Sequence, residues 1–262
     1  MGHRLLRAAL FAASLLLAGA AGAREATPGL PPTLRVLVAT DEMPEMFSFE
    51  PSGPPGFERE LLEGFCRVHG LALEVVPVRD FDQIIPMLLR GEGDVIAGIV
   101  DTPARRERIA FTSEVFPLRH MAVTRQPRGP VRDGEALRNL RVGVIPTSSW
   151  ESVVITAGVP PDNRRPYRDA EELLAGLRGG QIDAVVMALL DYSLAHKRDP
   201  GLVAGAFIGP TASAAFGIRR DEPTLAEALN GYLEGMRQAR HHLMFKYLDE
   251  ESLSLIALAR RD

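Results

Sequence analysis

The chain lacks three things: paired cysteines, an excess of positive charge, and a long apolar run in its body. Its single cysteine, Cys66, cannot form an internal disulfide. A formal net charge of −4 gives no overall basic field, which argues against a nucleic-acid-binding protein. After residue 18, no apolar stretch is long enough to cross a bilayer. What remains is a globular chain of 262 residues, enough for one large domain or two small ones.

The first residues have the pattern of a targeting segment. Two arginines precede an apolar run over residues 8–18, and small residues follow up to Ala23. This pattern predicts a secretory signal peptide over residues 1–23, because the run is short for a membrane span. Residues 24–33 are polar and rich in proline, which predicts a disordered leader. We therefore expect a periplasmic protein that does not span the membrane.

Two stretches of the chain repeat one pattern of elements. Short apolar runs alternate with amphipathic segments over residues 34–100, and the same order returns over residues 140–187. Strand, helix, strand, helix, strand is typical of a parallel sheet covered by helices. The sequence therefore predicts an α/β fold of two similar lobes.

The remaining segments suggest how the lobes are joined. Residues 125–130 are polar and rich in proline and glycine, which suits a linker. A strand from residue 214 and the helices after it have no sheet of their own, so they are expected to return to the first lobe. This gives a first lobe of residues 34–124 and 214–262, a second lobe of residues 125–213, two hinge crossings and a central cleft. Open parallel sheets bind ligands beyond the carboxyl ends of their strands, which here face the cleft.

The segment 93–112 is the most informative for binding. An apolar strand runs into Asp101-Thr102-Pro103, which is typical of a helix start, and Arg105 follows within one turn. Free backbone N–H groups, the positive end of a helix and a guanidinium together favour an anion. The alternative is a capped surface helix whose arginines face water.

Catalytic signatures are missing from the sequence. There is no Gly-x-Ser-x-Gly elbow, no phosphate loop, no dinucleotide fingerprint and no histidine pair with convincing metal spacing. Four carboxylates near the predicted cleft could serve as general acid or base, but nothing requires it: Asp41, Glu42, Glu45 and Asp101. We expect a protein that is not an enzyme and needs no cofactor or metal.

An ordered series of short motifs resembles one known family. The pieces are Thr40-Asp41, Gly56–Leu61, Asp80–Pro86, Gly93–Ile96, Thr102–Arg105, Ile109–Thr112 and Arg141–Val144. In this order and spacing, over nearly all of residues 33–262, the chain resembles the periplasmic solute-binding proteins of polar-amino-acid ABC importers, extracellular solute-binding family 3. The resemblance implies a type II periplasmic-binding-protein fold.

The resemblance also implies roles for individual residues. Arg105 falls where the family clamps the ligand α-carboxylate, and a bidentate guanidinium suits a planar carboxylate. Phe81 falls where a ring stacks on the ligand, and Asp41 where some members contact a ligand amine. Ser148 and Ser149 match the small polar residues that complete the carboxylate site, although Ser148-x-x-Glu151 is also a capping box in its own right.

Two further residues lie where the cleft is expected. Gly98 is in the loop region at the end of the third strand. Trp150, the only tryptophan, is at the start of the second-lobe helix, where it lines the cleft or merely packs on the lobe.

The chain also departs from the family pattern. Amino-acid-binding members have an aspartate after the third strand of lobe two, and here Ala188 takes that place. Asp101 and Asp191 lie nearby as substitutes, or equally as helix caps. A ligand ammonium without a partner would cost several kcal/mol, so the sequence predicts that the site keeps its anion half and loses its standard cation half.

The expected function follows from these residues. The protein should capture a small carboxylate ligand, or an unusual amino-acid derivative, for an ABC importer, and it is expected to be a monomer. Two alternatives stay open: an accessory or sensory periplasmic protein, for example beside a quinoprotein dehydrogenase, and a dehydratase-like enzyme on the same fold. An ABC permease or another periplasmic protein is the expected partner.

Overall fold

The computed structural model describes residues 27–248 and 250–259. The predicted signal peptide lies outside these residues. The described part of the expected leader lies against the first lobe: the Thr27 N–H donates to the His69 carbonyl at 3.3 Å, and Leu30 packs on the core. These contacts differ from the disorder that its composition suggested, because Leu30 finds an apolar surface to cover.

The first lobe is a sheet with helices on it. Its elements are β1 (Thr33–Ala39), α1 (Phe57–His69), β2 (Ala72–Val78), α2 (Ile84–Leu89), β3 (Val95–Asp101), α3 (Pro103–Arg106) and β4 (Ala110–Phe111). The strand β1 pairs in parallel with β2 on one side and with β3 on the other, as the alternating pattern predicts. The helix α1 buries one apolar face, to which Cys66 belongs, and burial raises the pKa of the Cys66 thiol to about 11. That thiol is therefore a packing group.

The second lobe repeats this arrangement. Its elements are α4 (Gly134–Leu137), β6 (Val142–Val144), α5 (Ser149–Thr156), β7 (Arg164–Pro166), α6 (Ala170–Arg178), β8 (Ala184–Ala188) and α7 (Leu189–Arg198). The strand β6 lies between β7 and β8 and is parallel to both. The two-lobed α/β fold predicted from the sequence is thus confirmed.

Two long strands, β5 (Phe116–Arg125) and β9 (Leu202–Ile218), run through both lobes as an antiparallel pair. The end of β9 in the first lobe pairs with β3, whereas β5 pairs with β8 in the second lobe. The sheet order is therefore β2-β1-β3-β9-β5-β8-β6-β7, with β4 on β9. These strands are the two crossings between the lobes.

The first crossing lies earlier in the chain than predicted. Met121 and Val123 pack in the core of the second lobe, although residues up to 124 were assigned to the first. Residues 125–130 form a turn within the second lobe, where the Thr124 hydroxyl donates to the Gly129 carbonyl at 3.0 Å. Proline and glycine mark a turn there, and the crossing itself is regular strand.

Two of the three C-terminal helices pack on the first lobe, whereas the last one packs against α7 of the second lobe. The three helices are α8 (Pro223–Gly235), α9 (Arg237–Tyr247) and α10 (Glu250–Ala259). Leu225, Leu229 and Leu233 of α8 are buried in the first-lobe core. Within the described residues, no helix combines the length and the apolar character that a membrane span needs.

Candidate ligand-binding site

A cavity of about 140 Å³ lies between the lobes at the carboxyl ends of their strands. That volume holds roughly ten water-sized groups, the size of a small metabolite. Both lobes line it, with Ala39, Asp41, Glu42, Met43, Met46, Glu58, Phe81, Gly98, Val100, Arg105, Phe116, Leu118 and Ala214 on one side and Ile145, Ser148, Ser149, Trp150, Ala170, Ala188, Leu190 and Asp191 on the other.

Arg105 is the one cation among the described residues that line this cavity. Its side chain is buried, and Nη1 and Nη2 donate to the carbonyls of Val100 at 2.9 Å and Thr147 at 3.0 Å. Burial lowers the pKa of Arg105 to about 10, so the guanidinium stays charged at neutral pH. Two of its five N–H groups are used, and no carboxylate in the described chain pairs with it. A buried cation in this state favours an anionic ligand.

The bend before α3 positions this arginine. The Thr102 hydroxyl caps the helix by accepting from the Arg105 N–H at 3.3 Å, and Pro103 occupies the first turn. The Phe81 ring lies 5.3 Å from the Arg105 guanidinium carbon, within cation–π range. Phe81 therefore supports the guanidinium from one face and also lines the cavity.

The second lobe presents the start of α5. Ser148 caps this helix by accepting from the Glu151 N–H at 3.1 Å, and the Glu151 carboxylate accepts from the Thr147 N–H at 2.8 Å. The capping box expected at Ser148 is therefore present, with the return bond shifted by one residue to Thr147. Thr147 has a φ of 65°, an uncommon conformation for a residue with a side chain, and this conformation accompanies the contact of its carbonyl with Arg105.

Sequence reasoning missed His120, which lies in β5 behind Ser149. The His120 Nε2 is 3.0 Å from the Ser149 Oγ, and both side chains are buried. Burial and the nearby Arg105 lower the pKa of His120 to about 4, so the ring is neutral at physiological pH. It fixes the Ser149 hydroxyl at the cavity wall without adding charge. The adjacency of β5 to α5 is a tertiary feature that no local motif reports.

Asp191 also lines the cavity, in the first turn of α7. Its carboxylate accepts from the backbone N–H of Ala188 and from the Trp150 side chain. Enclosure in the cleft and the negative charge of Asp41 raise the pKa of Asp191 to about 7. Ala188 ends β8, and its backbone N–H contacts the carboxylate of the residue three positions later.

Two more carboxylates, Glu42 and Glu58, face the cavity from the first lobe. The Glu58 side chain is 1% exposed and accepts from the Gly98 N–H at 2.6 Å. The Glu42 Oε1 accepts from the Met43 N–H at 3.1 Å, and burial with the nearby charge of Glu58 raises the pKa of Glu42 well above its usual range. The sequence predicted Glu42 near the cleft but gave no sign of Glu58, because Glu58 lies among the buried residues of α1.

Asp41 lies at the mouth of the cavity and touches the other lobe. Its Oδ2 accepts from the Ala170 N–H at the start of α6, at 3.1 Å. An ion pair across the cleft joins Arg198 to Glu45 at 3.3 Å. With the Arg105 contact to Thr147, these bonds hold the lobes together around the cavity.

Asp101 does not take part in the site, contrary to prediction. It forms an ion pair with Arg106 on the outer side of α3, with its Oδ1 2.6 Å from the Arg106 Nε. The side chain of the last strand residue points away from the cleft, and the arginine one turn later holds it there. The other predicted residues, Arg105, Phe81, Asp41, Gly98, Ser148, Ser149, Trp150 and Asp191, line the cavity.

Comparison with known proteins places this geometry in a family. The model of the bacterial extracellular solute-binding proteins, family 3, matches residues 34–250. The chain belongs to this family. Its fold is the type II periplasmic-binding-protein fold. The cavity described above lies between the two lobes of this fold.

Solved structures of the same fold include amino-acid-binding proteins. An ancestral arginine-binding protein bound to arginine is 26% identical, with a TM-score of 0.74 over 84% of this chain and 99% of that one. The P235GK mutant of ArgBP from T. maritima is 23% identical, with a TM-score of 0.75 over 82% and 95% of the two chains.

Among curated proteins, the chain matches part of the length of proteins named as lytic transglycosylases. The membrane-bound lytic murein transglycosylase F of Shewanella pealeana is 28% identical over 183 residues, which are 68% of this chain and 38% of the relative. The chain thus spans less than half the length of the curated relatives it matches.

The geometry also corrects one expectation about this family 3 site. The sequence predicted that the standard cation-binding half is lost because Ala188 replaces an aspartate, with Asp101 or Asp191 as an open substitute. The structure brings Asp191, Glu42 and Glu58 to the same cavity, so carboxylates that can hold a cation are present. They come from other positions in the chain, and their approach depends on the packing of α1 and α7.

Proposed function

We propose that this protein captures a small zwitterionic ligand, an α-amino acid or a close derivative, between its two lobes outside the cytoplasm. The observation that carries the proposal is the pairing of opposite charges in one cavity: Arg105 has no acidic partner in the described chain, and Asp191 has no basic one. A ligand carboxylate would form an ion pair with Arg105, and a ligand ammonium would form one with Asp191.

Each lobe supplies part of the proposed site. Arg105 is held by the first lobe and touches the second, so a carboxylate bound to it would favour the closed arrangement. Asp191 belongs to the second lobe, and an ammonium on it would tie the ligand to both halves. Ligand capture by cleft closure needs no chemical change of the ligand, so we propose a binding protein and not an enzyme.

The biological role proposed first is delivery to an ABC importer, which fits the family and its amino-acid-binding neighbours. A second role is favoured by the partial match to proteins named membrane-bound lytic murein transglycosylase F. In that case the ligand would be a signal for a partner and not a cargo. Uptake of the bound ligand by cells with and without the gene distinguishes the two roles.

A thermal-shift screen tests the proposed ligand class. Free amino acids should raise the melting temperature, and saturation at a hundred times the dissociation constant stabilises the protein by about 2.7 kcal/mol. Their N-acetyl derivatives and simple carboxylates such as succinate should give little shift, because they leave Asp191 unpaired. Equal shifts with succinate and with free amino acids would contradict the proposal. Consumption of a bound amino acid over time would favour an enzyme.

A further inference from the structure

A buried histidine behind the cavity wall takes no part in the ligand contacts proposed so far. We infer that His120 is a positioning residue: its Nε2–H donates to the Ser149 Oγ and so directs the Ser149 hydroxyl proton into the cavity, where a ligand carboxylate accepts it. This inference rests on the proposed function, in which the same carboxylate binds Arg105.

The strand β5 fixes the place of His120. This strand lies between β8 and β9 in the sheet, and His120 is paired with Ala188 on one side and with Ile208 on the other. Leu118, two residues earlier, lines the cavity, and side chains two apart in a strand share a face. His120 therefore lies on the cavity face of β5, directly behind Ser149.

The second ring nitrogen indicates which atom of His120 carries the proton. Nδ1 is buried and has no hydrogen-bond partner among the described residues, whereas Nε2 lies 3.0 Å from the Ser149 Oγ. A proton on Nδ1 would leave a buried N–H donor without an acceptor, which is rarer in proteins than an acceptor without a donor. A proton on Nε2 leaves only a lone pair on Nδ1. The geometry therefore favours the Nε2–H tautomer.

In this tautomer the Ser149 hydroxyl keeps its own proton for another acceptor. A serine hydroxyl has one O–H and two lone pairs, so an Oγ that accepts from His120 can still donate. The Ser149 side chain is buried and lines the cavity, and its Oγ has no second partner in the described part of the chain. An ionised carboxylate only accepts hydrogen bonds, so a hydroxyl held as a donor matches it.

The neighbouring Arg105 makes a neutral ring suitable for this role. Burial and the charge of Arg105 lower the pKa of His120 to about 4, so the ring carries one proton at neutral pH. Since the guanidinium is near enough to act on the ring behind Ser149, Arg105 and Ser149 face the same part of the cavity. One ligand carboxylate can accept from both, and His120 adds a directed donor without a second positive charge.

Histidine nitrogen chemical shifts test the tautomer in the unliganded protein. Long-range proton–nitrogen correlation spectra of the chain labelled with ¹⁵N-histidine separate protonated from unprotonated ring nitrogens, and His120→Gln identifies the His120 signals. We expect the proton on Nε2 and none on Nδ1 at neutral pH. A proton on Nδ1, or on both nitrogens, would overturn the inference and leave the amino-acid site standing.

Substitutions of His120 test whether the donor matters for binding. The calorimetric probes are the standard L-amino acids, and the one that binds the wild type most tightly is then used for the variants. His120→Gln supplies an amide N–H in place of Nε2–H and should retain most of the affinity. His120→Phe keeps a ring without a donor and should bind about 10-fold more weakly.

A matched control is present in the second lobe. The His196 ring contacts the Tyr192 ring and the Leu202 carbonyl, and none of these residues lines the cavity. His196→Phe should therefore bind the same probe as tightly as the wild type does.

A double-mutant cycle separates positioning from a general effect on packing. If His120 acts only through the Ser149 hydroxyl, His120→Phe should lower the affinity of the wild type but should lower that of Ser149→Ala no further. Equal losses in both backgrounds, or full affinity in Ser149→Ala, would overturn the inference without touching the proposed function. If no amino acid binds the wild type, the proposed function and this inference are both wrong.

Discussion

The two lobes share one architecture but equip the cavity differently. The first lobe supplies Arg105, Asp41, Glu42 and Glu58, whereas the second supplies one ionisable side chain, Asp191, beside hydroxyl groups and the Trp150 ring. Most of the charge therefore lies on one wall. The difference suggests that the first lobe determines which ligand binds, and that the second completes the site when the cleft closes.

The largest expected effect comes from removing the first-lobe cation. Arg105→Ala should weaken amino-acid binding by about 100-fold or more, since it removes one partner of a buried charge pair. Titration calorimetry measures this loss. Arg106→Ala is the matched control, because the neighbouring side chain is exposed and pairs with Asp101. If Arg105→Ala bound amino acids as tightly as the wild type, the Arg105 guanidinium would not be the partner of the ligand carboxylate.

Removing the second-lobe charge should have the next largest effect. Asp191→Asn keeps an acceptor for the Ala188 N–H but loses the charge that would pair with a ligand ammonium. Affinity should fall by about 30-fold, equivalent to about 2 kcal/mol. Asp162→Asn, in an exposed turn of the same lobe, should bind as the wild type does. Full affinity in Asp191→Asn would mean that the first lobe binds the ligand alone.

The crowded carboxylates should also limit the stability of the unliganded protein. Burial raises the pKa of Glu58 from 4.5 to about 7, so the folded state holds its proton more tightly than the unfolded state. Stability due to this group is therefore present below about pH 4.5 and is lost as pH rises towards 7. Urea unfolding at pH 8 should show that Glu58→Gln increases the free energy of unfolding by about 1–3 kcal/mol, with a much smaller gain at pH 4.5.

The contrast with Glu60 sharpens this prediction. The Lys246 ammonium and the Tyr247 hydroxyl lower the pKa of Glu60, so its charged form is favoured in the folded state. Glu60→Gln should therefore give no gain in stability at pH 8. A loss of stability in Glu58→Gln at pH 8 would show that the Glu58 charge is compensated in the unliganded cavity.

The smallest expected effect concerns the contact across the mouth of the cleft. Asp41→Ala removes the hydrogen bond from the Ala170 N–H. It should weaken ligand binding about fivefold, because one hydrogen bond contributes about 1 kcal/mol. Asp41→Asn keeps an acceptor and should stay near the wild type if closure is the role of this residue. Equal losses in both variants would indicate that the Asp41 charge contacts the ligand instead.

The elements of the fold were predictable because their signals are local. The apolar face of α1 and the Thr102-Pro103 start of α3 can be identified from a few neighbouring residues. The strand β9 was predicted only from residue 214, although it begins at Leu202. Its earlier part is rich in glycine and alanine, and it is held by pairing with β5 and not by its own pattern.

The candidate site was predictable where a residue has one characteristic binding partner and a recognisable local motif beside it. Arg105 follows a helix start, and its guanidinium is the natural partner of a carboxylate. Glu58 and His120 could not be found this way, because a buried glutamate in a helix and a buried histidine in a strand look like ordinary members of those elements. Their proximity to the cavity depends on how α1, β5 and α5 pack.

The most direct test of the charged cavity is a calorimetric comparison of each amino acid that binds with the amine that lacks only its α-carboxylate, such as L-lysine with cadaverine or L-arginine with agmatine. If a ligand carboxylate completes Arg105, the amine should bind the wild type about 100-fold more weakly or worse, and it should not distinguish the wild type from Arg105→Ala. An amine that binds the wild type as tightly as its parent amino acid would contradict a carboxylate on Arg105.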